Sequence, residues 1–492
     1  MQFPTAIFAC FFALVLGLHW TLPERGVTRK WALLAASVAF YAWWSWKFAL
    51  LTLTSAALNH GAALLIASVE DARKRRARLA VAVAANLLLL AFFKYSGFLL
   101  TQVFHPLAVI CFRQFGAIEN LLDFEDRILP FVESIILPIG ISFYTFQAIA
   151  YVADVASGKA RPAASLLDFA NYLAFFPKLC AGPIVRPSAL LPQMESLPAR
   201  STEIDTGRAA TLVLGGLFKK VVVANWIAQH LADPVFTDPE SCGAVDALLG
   251  IYGYTIQIYC DFSAYSDIAT GCALLLGFKF PDNFRAPYVA SSLQDFWRRW
   301  HITLSSWLRD YLYIPMGGSR CAKWKVHRNL IVTMLLGGLW HGAGWSYVLW
   351  GAIHGVGQVL ERPFNKKRAA DAPPAPRAVT LLRGIVTFHV VAFAWIFFRA
   401  GAVDAEGLTT VSGILSDLGR WSEPATLLTP MAIAMLLIGF ALQALDGDTP
   451  RRLWAAFGRL HPVAQGFVAA ILLTVVLGLG PAGVAPFIYF QF

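Results

Sequence analysis

Along most of this chain, apolar residues gather in long runs instead of alternating at short period with polar ones. Runs of about 15 to 25 residues stand near 5–22, 31–46, 48–68, 79–98, 136–155, 210–231, 246–277, 330–345, 346–360, 384–398, 428–446 and 463–485. A helix needs about 20 such residues to cross a hydrocarbon core of about 30 Å. Backbone polar groups in lipid must be paired within the spanning segment, which leaves helix as the form such runs take. The pattern therefore predicts an all-α polytopic membrane protein with about 11–12 membrane segments, the shorter ones re-entrant or half helices. No basic stretch precedes the first run and no small-residue cleavage site follows it. It reads as a retained span and not as a signal peptide.

Charge then orients the spans. The segments 23–30, 69–78, 156–209, 278–329, 361–383 and 447–462 hold 32 of the 40 Lys and Arg residues, Arg73, Lys74, Arg75, Arg76 and Arg78 among them. The alternate loops hold only Lys47, Arg113, Arg127, Arg399 and Arg420. Basic loops stay on the cytoplasmic side, so both termini are expected outside. Hydrophobic residues make up 57% of the chain and charged ones 14%, which excludes an ordinary soluble domain. The formal charge of +10 is spread through short loops, so it reads as topology and not as nucleic-acid binding. Seven cysteines are scattered without a CxxC pair or metal-ligand spacing, and no metal site is expected. Residues 361–378 mix charge with Pro and Ala and read as a flexible cytoplasmic linker. With no internal repeat, residues 1–492 read as one integral-membrane domain.

Polar residues inside the apolar runs are the candidates for chemistry. His341 lies in GGLWHGAGW (337–345), thirteen residues or about 20 Å of helix beyond Arg328. The surrounding glycines allow close helix approach or a helix break. A neutral imidazole there can act as a general base, although a buried histidine bonded to a carbonyl would share the pattern. Residues 291–308 carry apolar side chains at helical spacing and predict an amphipathic helix at the cytoplasmic interface. On that wheel His301 sits at the edge of the apolar face while Arg298 and Arg299 point to water. An interfacial histidine with two snorkelling arginines gives the same spacing. Arg309, Arg320, Lys323, Lys325 and Arg328 follow around a PMGGS turn. Their charge suits the phosphates of a nucleotide-bearing donor and equally suits anionic lipid headgroups. Asp261, Ser263, Tyr265 and Asp267 lie within another apolar run. They are expected to support a histidine or arginine, with a proton relay as the alternative. PKLCAGPIVRP (177–187) is too rich in Pro and Gly for a helix and is expected to line a cavity or re-enter the membrane.

The strings PKLCAGPIVRP (177–187), QIYCDFSAYSDIATG (257–271), FPDNFRAPY (280–288), DFWRRWHITLSSWLRDYLYIPMGGSR (295–320), RNL (328–330) and GLWHGAGWSYVLWGAIHG (338–355) resemble the membrane-bound O-acyltransferase family. The closer likeness is to its bacterial branch, typified by the membrane subunit of alginate O-acetyltransferase, with a motif core of about 136–360. The resemblance implies helices around a central tunnel, His341 as the essential histidine and His301 as the second catalytic position, with Trp340 among the supporting residues. It implies acetyl-CoA as donor substrate, and no tightly bound cofactor is expected; within the basic segment 278–329, Arg298, Arg299, Arg309, Arg320 and Lys323 are the expected donor-binding residues. It further implies an exported polysaccharide acceptor, a periplasmic hydrolase-like partner and residence in a bacterial inner membrane. The tail PFIYFQF (486–492) is similar to an aromatic C-terminal motif of this branch, which makes Tyr489 a candidate acyl relay; an interfacial aromatic anchor is the simpler alternative. Three other functions remain to be weighed: transfer of D-alanyl or another acyl group, a transporter or flippase with a His/Asp pathway, and a non-catalytic scaffold.

Overall fold

The structure, a computed structural model, describes residues 3–23, 27–105, 130–131, 134–364, 376–403, 407–444, 455–479 and 487–488, and every regular element among them is helical. The apolar runs become α1 (Ala6–Thr21), α2 (Thr28–Ala42), α3 (Trp46–Ala67), α4 (Ala72–Lys94) and α5 (Ile141–Ala156). After two shorter helices, α6 (Leu166–Ala174) and α7 (Pro187–Glu195), come α8 (Thr206–Thr237) and the 32-residue α9 (Ala244–Leu275). The second half contains α10 (Ile302–Leu308), α11 (Lys323–His341), α12 (Trp345–Glu361), α13 (Arg377–Val403), α14 (Leu408–Asp417), α15 (Pro430–Ala444) and α16 (Pro462–Leu479). Four of these, α3, α4, α8 and α13, are long and apolar enough to cross a membrane. Large apolar side chains such as Leu58, Val81, Leu88 and Leu382 are exposed on them, as lipid-facing surface requires. Of the linker 361–378, residues 365–375 lie outside the described residues, and Arg377 already belongs to α13.

Helix starts follow from capping side chains. Thr5, Asp71 and Asp205 accept from the backbone N–H of Phe8, Lys74 and Arg208 at 3.2, 2.8 and 2.8 Å, satisfying donors that have no partner inside the helix. Two stretches of α8, Phe218–Ala224 and Ala228–Ala232, widen to π-helix, a local distortion common where side chains must be re-aimed.

Two expectations are corrected. The segment 278–329 is not a surface loop: Phe278, Phe280, Tyr288, Trp300 and Leu304 in it are buried. The amphipathic helix expected over 291–308 is broken. A single turn, Leu293–Phe296, ends before His301, which takes a left-handed conformation with φ 40°, and α10 begins after it. Hydrophobic periodicity could not reveal this break, because distant backbone contacts impose it. The N–H of Ile302 donates to Asn283 O and that of Arg285 to Arg299 O, each at 2.9 Å. Of the stretch 177–187, expected to be non-helical, residues 180–186 are so, but 177–179 belong to a short helix (Phe176–Leu179) and Pro187 opens α7; the stretch is mostly buried.

The packed interior forms two apolar clusters. One is built mainly from α1–α7 and the second half of α9, the other from α8, the first half of α9, α12 and α13. Trp340 belongs to the first cluster and Tyr347 and Trp350 to the second, so the α11–α12 corner carrying His341 lies on the seam between them. That corner depends on glycine. A Cβ on Gly338 would collide with the carbonyl of Tyr347, and one on Gly342 with the Tyr347 ring. Gly338→Val should therefore destabilise the protein by at least about 3 kcal/mol, the upper range for overpacking, seen as a lower melting temperature in detergent; an unchanged melting curve would contradict the tight corner.

Candidate active site

His301 is fully buried, 0% exposed, and its left-handed backbone is a strained state of a kind that costs about 1–3 kcal/mol. Its ring packs edge-on to Phe262 at 4.7 Å between centroids and stands 6.0 Å from Trp340. The Asn283 side chain organises this corner. Its Oδ1 lies 3.1 Å from His301 Nδ1, 3.2 Å from the Thr303 backbone N and 2.8 Å from Thr303 Oγ1, while its Nδ2 donates to Ser266 Oγ at 3.0 Å. A backbone N–H can only donate, so the amide oxygen must be the atom facing Thr303 and His301. His301 therefore carries its proton on Nδ1 and presents a lone pair at Nε2. That nitrogen is buried and has no hydrogen-bond partner among the described residues.

His341 ends α11, 3% exposed. Its ring stands against Trp340, Trp350 and Phe398 at 4.9, 5.2 and 5.1 Å between centroids. Trp340 thus neighbours both histidine rings. The helix stops because Gly342 is extended, with φ −153° and ψ 150°. His301, Lys94 and His354 are titratable groups in electrostatic reach of His341. His354, which the motif analysis did not single out, packs on Trp350 and accepts from Trp297 Nε1 at 3.3 Å. The indole nitrogens of Trp340 and Trp350 and His354 Nε2 have no hydrogen-bond partner among the described residues. An unmade bond to a buried polar atom costs about 1–3 kcal/mol, so this concentration marks a place suited to a polar guest.

Beside this cluster lies a cavity of about 450 Å³ lined by Trp297, Arg298, Ile302 and Arg309, among others, and by the α11 and α12 side chains Thr333 and Gln358. It reaches Ile302, next to His301, and Trp297, the donor to His354. Of the five basic residues expected at a donor site, Arg298 and Arg309 line it. Arg299 turns to Asp295 at 3.0 Å, and Arg320 and Lys323 are exposed and away from the cavity wall.

The expected supporting residues fall elsewhere. Asp261 pairs with Lys220, and Asp267 pairs with Lys219 at 2.5 Å; Lys219 also donates to Ser263 Oγ at 2.8 Å. Among the described residues, neither carboxylate is bonded to a histidine. Asp261 Oδ2 instead accepts the backbone N–H of Ile488 at 2.7 Å, with Phe487 edge-on to Tyr265 at 5.0 Å and under Lys220. Phe487 and Ile488 are both buried. Asp261 thus seats Phe487 and Ile488, whereas Asp267 serves Lys219; Tyr489 itself lies outside the described residues. Lys94, Lys219 and Lys220 were not singled out from the sequence, though cations inside apolar runs are a usable signal. Asn283 stood within a matching string but gave no signal of its own.

The chain belongs to the MBOAT, membrane-bound O-acyltransferase family, whose model matches residues 38–400. It is therefore a multi-pass membrane protein and an acyltransferase. Among its relatives are the probable alginate O-acetylase AlgI of Azotobacter vinelandii, 37% identical with all of both chains covered, and the peptidoglycan O-acetyltransferase of Helicobacter pylori, 35% identical over 78% of this chain and 74% of that one. The teichoic acid D-alanyltransferase of Bacillus subtilis is 28% identical over 53% of this chain and 68% of that one.

Asn283→Leu removes the group that fixes the His301 tautomer. Acyl-transfer turnover should fall about 10- to 100-fold, the usual effect of losing such an orienting partner, while Asn283→Asp, which keeps the acceptor, should lose much less. Equal turnover of the leucine variant and the unmodified protein would remove this role.

Proposed function

We propose that this protein takes acetyl groups from acetyl-CoA on the cytoplasmic face of a bacterial inner membrane and passes them to an exported envelope polysaccharide. The observation that carries the reading is the pair of buried histidines that both neighbour Trp340, one with an open ring nitrogen, next to a cavity bearing two arginines. Arg298 and Arg309 would hold the donor's phosphates while the thioester extends toward the histidines. A hydroxyl oxygen attacks the acetyl carbonyl, the C–S bond breaks, and His341 carries the hydroxyl proton to the departing thiolate. The hydroxyl gives its one proton to His341, so His301, protonated on Nδ1, is left to orient the donor side by accepting at Nε2 an amide N–H of the acetyl-CoA arm. In that neutral form it cannot polarise a carbonyl from the same nitrogen. The indole N–H groups of Trp340 and Trp350 are the nearby donors for charge on the carbonyl oxygen.

The hydroxyl belongs to Tyr489 or to a serine of a periplasmic hydrolase-like partner. Supporting the first choice, Asp261 and Lys220 hold the two residues before Tyr489 in the interior. Acetyl is favoured over D-alanyl because the O-acetylating relatives share more identity over more of the chain than the D-alanyltransferases do. The nature of the polysaccharide, alginate-like or another glycan, follows only from the names of those relatives.

Mass spectrometry of the C-terminal peptide after incubation with acetyl-CoA tests the scheme. Acetyl on Tyr489 in the unmodified protein, absent in His341→Ala, is the expected result. Polymer acetylation undiminished in Tyr489→Phe would overturn the relay, and undiminished acetyl transfer in His341→Ala would overturn the base. In the same assay, replacing Arg298 and Arg309 together by Gln should raise KM for acetyl-CoA about tenfold or more, the worth of one or two lost charge-assisted bonds, with little change in kcat. An unchanged KM would remove the donor from this cavity.

A further inference from the structure

Three consecutive carbonyls at the end of α11 are held from a different helix. Lys94, the last residue of α4, donates from Nζ to Trp340 O at 2.6 Å and to His341 O at 2.9 Å. The next residue, Tyr95, donates its hydroxyl to Leu339 O at 2.8 Å. The Lys94 ammonium also lies 6.0 Å from the centre of the Trp340 ring. The last carbonyls of a helix have no partner inside it, and here the chain leaves the helix at once through extended Gly342. A cation at this end also complements the helix dipole. Nothing in the local sequence of α11 supplies these bonds; α4 does, from 244 to 247 residues away.

We infer that Lys94 is a positioning residue for acyl transfer. With Tyr95 it clamps the last turn of α11 and so fixes the His341 ring against Trp340, Trp350 and Phe398. Among the described residues its hydrogen bonds run to backbone oxygens, so it acts through His341 and the inference rests on reading that histidine as the base. The clamp needs a long side chain with a charged donor. Arginine keeps the donor, whereas methionine keeps only the length and leaves two buried carbonyls without it. Freed of the clamp, the final turn can shift, and a displacement of about 1 Å at a reacting group can cost about 100-fold in rate.

The test compares full-length Lys94→Met, Lys94→Arg, Tyr95→Phe and His341→Ala in lipid nanodiscs, with acetyl-CoA as donor and release of the CoA thiol as readout. Rates are taken per mole of protein in the monodisperse fraction. Lys94→Met should lower kcat by about 100-fold with KM for acetyl-CoA within about twofold, the signature of a lost transition-state arrangement and not of lost donor binding. Lys94→Arg should recover most of the rate, and Tyr95→Phe should fall between. A merely structural role would reduce yield and melting temperature but leave the kcat of the folded fraction unchanged, and that result overturns the clamp. Should Lys94→Met give no monodisperse protein, Tyr95→Phe decides: a kcat reduced about fivefold or more at constant KM supports the clamp, and an unchanged kcat overturns it. His341→Ala separates the two claims. Activity retained there sinks the base assignment, whereas an inactive His341→Ala beside a fully active Lys94→Met sinks the clamp alone.

Discussion

Polar groups placed between the two apolar clusters must find partners inside the protein, because neither packed side chains nor lipid can supply them. That constraint explains most of the interior. Asp246 is buried and spends its carboxylate on the N–H groups of Thr426 and Leu427 and the Thr426 hydroxyl. Asn59 and Asn86 exchange amide bonds across α3 and α4 at 2.7 and 3.2 Å. Lys219 and Lys220 neutralise Asp267 and Asp261. Among the described residues, other buried polar atoms also lack a partner, Tyr144 Oη, Gln257 Oε1 and Tyr265 Oη among them, but several gather at one corner. His301 Nε2, His354 Nε2 and the indole nitrogens of Trp340 and Trp350 surround the position of His341. A folded interior tolerates such a concentration where substrate atoms complete the bonds.

The bundle was legible because each apolar run is long and its flanks are charged or rich in turn residues, so α1–α5, α8, α9 and α11–α13 follow the pattern closely. His341 and His301 were legible as polar residues in apolar or amphipathic surroundings. The geometry of His301 was not. Residues 291–308 have the periodicity of one helix, and only the backbone bonds to 283–285 break it and turn the imidazole inward. Asp261 and Asp267 illustrate the opposite error. Two carboxylates set among tyrosines and serines at 259–267 invite a role beside a histidine or an arginine, yet their partners are lysines on the π-widened stretch of α8. Pairing across helices has no signature in the spacing along one helix.

Those ion pairs also bear on how the carboxylates could work. A proton or substrate pathway needs carboxylates that face a wet route and exchange protons along it. Asp261 instead has one oxygen on Lys220 and the other on the Ile488 amide, and its side chain is almost wholly buried. Protonating it would break a buried pair, a loss on the order of 3–5 kcal/mol. The pairing favours a fixed seat over a shuttle, in agreement with membership of an acyltransferase family.

The same seat joins the two clusters. Phe487 packs with the first and Ile488 with the second, so two adjacent residues of the C-terminal segment bridge the seam on which the histidines lie. The contact that holds them is to a backbone N–H, which any residue but proline offers at position 488. Specificity of docking therefore comes from the aromatic ring at 487 between Tyr265 and Lys220, and register comes from the main-chain bond. A one-residue slip would place Ile488 in the aromatic slot and present a different amide to Asp261. The pairing of one shape-selective side chain with one main-chain bond thus sets where the following residues must begin, and the ion pair that makes both contacts is anchored in α8 and α9 independently of the tail.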